Sequence, residues 1–163
     1  MHETPEDLVR LQDLLARSRA RAGAHLLRIF SEDWRIAAAE LAPRLGGVQI
    51  LHLGTVTAKG EPRVGPVDGL FFRGAFHFGT APDSLRARNI RARPAVSGSI
   101  AHGEDLGLIV HGRAVEFDFD APEQEALRDY YRDVYGEGWD GFRRGNPYWR
   151  VEAERLYAFA REG

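Results

Sequence analysis

The sequence predicts a mainly β protein, in which a closed or nearly closed antiparallel β-barrel is flanked by helices. Three observations carry that expectation. From Val48 onward the residues become β-branched and largely alternating. Two turn dipeptides, Lys59-Gly60 and Arg73-Gly74, separate three extended runs, which describes an antiparallel meander. Only two helical patterns interrupt the remaining strands, one inserted near Ser84 and one opened by Pro122. Closure follows because an open sheet of about six strands exposes its hydrophobic edges. The expected organisation is a single domain, with residues 1–47 as an N-terminal helical extension and 48–163 as the barrel.

Thr4-Pro5-Glu6-Asp7 reads as a helix start, with a hydroxyl cap, proline at the first helical position and acids in the first turn. Leu8, Leu11, Leu14 and Leu15 form one apolar stripe, and Gly23 is the expected terminator. Ser31 with Glu32 and Asp33 signals a second helix through Ile36 to Leu41, stopping near Pro43 and Gly46-Gly47. Strands are expected over Val48 to Thr57, Arg63 to Phe72 and Ala75 to Phe78. A short polar helix follows from Ser84 to Arg91, ended by Pro94. Further strands cover Ala95 to Ile100 and Leu106 to Phe119. A helix runs from Pro122 to Tyr135 and stops at Gly136, a glycine-rich aromatic loop reaches Pro147, and Val151 to Phe159 forms the last strand.

Composition narrows the function classes. The 163 residues carry 22 basic and 24 acidic side chains, a formal charge of -2, which argues against bulk electrostatic binding to nucleic acid or an anionic membrane. With no cysteine there is no disulfide, thiolate nucleophile or zinc knuckle, and a reducing cytoplasmic location is expected. Neither an apolar leader at the first residues nor a stretch of about 20 apolar residues occurs.

The segment from Phe78 to Pro94 is the most informative. A strand ends at Gly79, hydroxyls stand at Thr80 and Ser84, and a helix begins carrying Arg86 and Arg88. Free N–H groups at a helix start, hydroxyl donors and guanidinium forks together make a phosphate cradle. The same residues also describe an ordinary capped surface helix whose arginines are solvated.

A resemblance weighs on that choice. The runs Leu53 to Val56, Gly60 to Val67, Phe76 to Thr80, Ser84 to Ile90, Arg93 to Ser97 and His111 to Ala114 occur in an order that resembles the pyridoxamine 5′-phosphate oxidase-like family of flavin and deazaflavin oxidoreductases. The similarity spans Val48 to Phe119, and Leu156 to Phe159 resembles the family's last strand. It implies a split β-barrel of the FMN-binding type, a homodimer, and a flavin at the subunit interface. By resemblance, the backbone of Val64, Gly65, Pro66 and Val67 lines the isoalloxazine ring, while Gly79 and Thr80 lead toward the ribityl chain. Ser84 and Arg86 meet the phosphate, with Arg88 in support. Arg86 stands where many relatives carry lysine. Tyr148-Trp149-Arg150-Val151-Glu152 does not match the substrate motif of the true pyridoxamine phosphate oxidases, so vitamin B6 oxidation is not expected.

The expected function is thus flavin-dependent oxidoreduction, a hydride passing through FMN to or from a small molecule. The alternatives are a deazaflavin (F420)-dependent reductase and a non-catalytic flavin- or haem-binding module. Gly136-Glu137-Gly138-Trp139-Asp140-Gly141 has the spacing of a dinucleotide fingerprint, but it follows a helix, and no helix is expected after it. A loop covering the cofactor or the partner subunit suits it better, with Trp139, Phe142, Tyr148 and Trp149 as an apolar wall. His52, His77 and His111 fall in strands without metal-ligand spacing, so satisfied barrel histidines are expected and no metal site. Ser97 and Ser99 show no His–Asp partnership in the sequence.

Overall fold

A computed structural model describes residues 2–161 and contains a closed six-stranded antiparallel barrel in the order β1-β2-β3-β6-β5-β4. The strands are β1 (Val48–Val56), β2 (Pro62–Phe72), β3 (Ala75–Gly79), β4 (Ala95–His102), β5 (Leu106–Phe117) and β6 (Tyr148–Ala160). The Arg73-Gly74 turn places both residues at positive φ, 47° and 79°, which matches the twist of the β2–β3 hairpin. β6 closes the sheet by pairing with β3 through residues 148–151 and with β5 along its whole length.

Alternation divides the side chains. Leu51, Leu53, Val67, Phe71, Phe76, Phe78, Val96, Ile100 and Trp149 fill the barrel interior. On the opposite side of the same strands, Leu70, Phe72 and Tyr148 pack under α5 (Glu125–Tyr135) and α6 (Trp139–Arg143) with Leu127, Tyr131 and Trp139. Phe119 sits within that second layer, its ring centroid 4.7 Å from Tyr148 and 5.0 Å from Trp139. Trp149 therefore belongs to the barrel core rather than to the expected loop wall, because its neighbour Tyr148 takes the outward position on the strand.

The helix α1 (Pro5–Ala20) starts as the sequence indicates. Thr4 Oγ1 accepts from the Asp7 N–H, and an Asp7 carboxylate oxygen accepts from the Thr4 N–H at 2.9 Å. Its leucine stripe joins the barrel core together with Ile36 and Leu41. Ser18 ties the extension to the barrel: its hydroxyl donates to Leu14 O at 2.7 Å and accepts from the Leu156 N–H of β6 at 2.9 Å.

Three local expectations need correction. α1 stops at Ala20, where the Arg21 N–H returns to the Ser18 and Arg19 carbonyls, and Gly23 instead starts a short helix α2 (Ala24–Ile29). Ser31 opens only a single turn over Glu32–Trp34, since Ile36 is drawn into the core at 4 % exposure and holds the chain extended. The helix resumes as α3 (Ala38–Arg44). Finally, a short helix does begin inside the glycine fingerprint, at Trp139, because burial of that indole fixes the turn. Its preceding element is α5, so the strand–loop–helix context of a dinucleotide site is still missing. Among the described residues no helix is long and apolar enough to cross a membrane, and no cluster of three metal-ligating side chains occurs.

Candidate functional site

α4 (Leu85–Ala92) is the only helix between β3 and β4, and it lies against β1. Ala87 and Ile90 enter the barrel core, and the buried Asn89 amide donates to Thr55 Oγ1 at 3.1 Å. These three contacts fix how the helix start is presented. Ser84 is the N-cap, its Oγ accepting from the Ala87 N–H at 3.1 Å, and the Thr80 hydroxyl stands 3.3 Å from it. The N–H groups of Leu85 and Arg86 have no intrahelical partner and add the positive end of the helix dipole.

Arg86 joins this helix start to β2. One guanidinium nitrogen donates to the Pro66 carbonyl at 2.8 Å, bridging the two stretches that the sequence reading named separately. A Cβ at Gly65 would lie 3.2 Å from the same nitrogen, a tight contact that the flexible end of the arginine would have to relieve by a few tenths of an ångström. Arg86 is half-buried; burial lowers its pKa from the ordinary value, and the Asp68 carboxylate opposes that shift. Of its five N–H donors one is used by Pro66, and the others remain for an anion.

The remaining candidate residues divide clearly. Val64 is 72 % exposed on the outer face of β2 and Pro66 is exposed beside it, whereas Val67 points into the core and offers only its backbone. Gly79 ends β3, and a Cβ there would lie 2.8 Å from the Tyr148 ring, so the glycine lets that ring rest on the strand. Arg88 is exposed and makes no side-chain hydrogen bond among the described residues. Two residues apart on one helix, Arg86 and Arg88 point roughly 200° away from each other, and only Arg86 faces β2. Arg86 thus meets Gly65 and Pro66, and Thr80 meets Ser84 at the same helix start, while Val64 faces outward and Arg88 lies on the opposite flank.

The sequence reading missed Asp68 and Tyr135. The Tyr135 hydroxyl donates to Asp68 Oδ2 at 2.9 Å, and burial beside that carboxylate raises the phenol pKa far above its usual value. Both line a recess beside Gly79 that Tyr131, Trp139, Phe142 and Tyr148 complete. The available signal was the spacing of Tyr131 and Tyr135, four apart on one helix face.

The three strand histidines have different settings. His77 is buried, Nδ1 lies 3.2 Å from Ala75 O, and burial lowers its pKa to about 4, so it is neutral at pH 7. His52 and His111 are exposed instead, because odd positions of β5 and even positions of β1 face outward. His111 Nδ1 lies 2.8 Å from Ser97 Oγ. Ser97 thus has a histidine partner the sequence did not reveal, and among the described residues no acid meets that histidine to complete a triad.

The fold places the chain among split β-barrels, as its resemblance implied. A conserved hypothetical protein of Mycobacterium tuberculosis superposes with a TM-score of 0.66 at 21 % identity, over 80 % of this chain and 88 % of that one. A FAD-binding protein of Mesorhizobium loti gives a TM-score of 0.60 at 20 % identity, covering 78 % and 96 % of the two chains. An F420 reductase gives 0.53 at 21 % identity, with 69 % and 91 % covered. No family model and no curated protein sequence matches the chain.

Proposed function

We propose that this protein is an oxidoreductase that binds FMN between the two subunits of a homodimer and acts on a small molecule. The observation that supports it most directly is the Arg86–Pro66 bridge, which sets a half-buried guanidinium between the α4 start and the β2 backbone. The residues fit a phosphorylated flavin: Gly65 keeps the strand bare at the point of approach, and four Arg86 donors remain. Thr80, Ser84 and the free N–H groups of Leu85 and Arg86 would hold the phosphate oxygens.

When bound, the flavin supplies the hydride-transfer chemistry, and the polypeptide needs no strong acid or base of its own. The chain's part is binding and orientation. The Pro66 backbone and the Arg86 bridge hold the β2 face in place, and the core residues Ala87, Ile90 and Asn89 keep the α4 start from moving. The outer face of β1 and β2 exposes Val48, Ile50 and Val64 at 46 %, 47 % and 72 %. A second copy of the chain is the proposed cover for that apolar face, which would also shield the flavin ring from water.

Titrating purified protein with FMN while following the quenching of flavin fluorescence tests the cofactor, and sedimentation gives the oligomeric state. Saturable binding by a dimer is expected; a monomer that leaves flavin fluorescence unchanged contradicts the reading.

A deazaflavin coenzyme is the second reading. The free guanidinium of Arg88 favours it, since a polyanionic tail extending past the cradle would meet a charge that FMN leaves unused. Arg88→Ala would then weaken F420 binding and leave FMN binding intact.

A further inference from the structure

The recess beside Gly79 has a lining that is chemically one-sided. Its cavity is about 90 Å³, equivalent to roughly three water molecules or a group of four to six heavy atoms. Four aromatic side chains of α5, α6 and β6 contribute to the wall, together with Phe142, which is 63 % exposed at the mouth. Three of the aromatic donors are engaged within the protein. Tyr131 donates to His77 O at 2.8 Å, Tyr135 to Asp68 Oδ2, and the Trp139 Nε1–H to the Tyr148 hydroxyl at 2.9 Å.

What remains for an incoming group is aromatic surface, one carboxylate and the Tyr148 O–H. Asp68 is exposed, and neither of its oxygens pairs with a basic side chain among the described residues. Arg86, which feels the Asp68 charge, is directed to Pro66 O and does not line the recess. The Tyr131 and Tyr135 hydroxyls and the Trp139 N–H are already donated, so the Tyr148 O–H is the one aromatic donor left in the lining, and the Asp68 carboxylate beside it repels an anion. A positive charge finds an aromatic wall and a carboxylate.

We propose that this recess binds the cationic head of a small organic amine, an ammonium or alkylated ammonium group of up to about six heavy atoms. The aromatic wall attracts the charge and excludes water, and the Asp68 carboxylate neutralises it. Asp68 and Gly79 adjoin the residues assigned to the cofactor. That the amine is the substrate of that site rests on the cofactor reading; that the recess takes a cation does not.

Calorimetric titration with choline, its neutral carbon isostere 3,3-dimethyl-1-butanol, and tetramethylammonium tests the proposal. Choline and tetramethylammonium should bind saturably, with choline about tenfold tighter than the isostere. Asp68→Asn preserves an acceptor for Tyr135 and should weaken choline about tenfold, bringing it level with the isostere. Phe142→Ala, at an exposed position, should weaken both cations several-fold without lowering the melting temperature. Equal affinity for choline and the isostere, an unchanged Asp68→Asn protein, or no saturable heat from either cation would overturn the proposal. The same samples titrated with FMN separate the two readings. Cation binding without flavin binding removes the cofactor and keeps the recess, and flavin binding without cation binding does the reverse.

Discussion

Replacing Arg86 by alanine removes the guanidinium that joins α4 to β2, and it separates two roles that this side chain could play. If the free donors hold a phosphate, losing a charge-assisted pair costs about 1.5–3 kcal/mol, a weakening of FMN binding by roughly 10- to 150-fold. If the arginine acts only through its 2.8 Å bond to Pro66 O, the change is smaller and reaches every flavin alike. Riboflavin, which lacks the phosphate, tells these apart. The protein itself should tolerate the substitution, because Pro66 is exposed and water replaces the lost donor at a cost of about 1 kcal/mol or less. The assay is parallel fluorescence titration of wild type, Arg86→Ala and Arg86→Lys with FMN and with riboflavin. The expected result is a large loss for FMN in Arg86→Ala, partial recovery in Arg86→Lys, and riboflavin unchanged. An equal loss for both flavins, or none for FMN, would refute the phosphate role.

Other expectations follow from individual residues. His77 has a folded-state pKa of about 4 against 6.5 when unfolded, so unfolding takes up a proton below pH 6.5. Its contribution is whole above that value and falls as pH drops toward 4, by about 3 kcal/mol in full; His77→Leu should flatten the denaturation midpoint against pH in that window. Ser18→Ala leaves the buried Leu156 N–H without its acceptor and should cost about 1–3 kcal/mol in urea denaturation. Ile50→Glu places a charge on the apolar outer face of β1 and should shift the protein to monomer in sedimentation while its melting temperature holds.

The barrel was legible because its signals are local. Alternation in β1, the turns at Gly60 and Gly74, and the stop at Pro94 each report on a few neighbouring residues, and the strand bounds agree with them closely. Less legible were features that depend on distant partners. Ile36 interrupts a helix because the barrel core draws it in, and Trp139 nucleates α6 because Phe119 and Tyr148 bury its ring. The site divides in the same way. Ser84 as a cap could be read from its position before a helix, but the Arg86–Pro66 bridge spans twenty residues, and Asp68 meets Tyr135 across sixty-seven. Nor could the spacing of Arg86 and Arg88 show that only one of them turns toward β2.

The visible absorption spectrum of the protein as purified, with mass spectrometry of whatever it releases on denaturation, bears most directly on the cofactor assignment. A flavin band with FMN as the released species is the predicted result. A colourless protein that releases nothing and stays colourless after incubation with FMN and removal of the excess would contradict it.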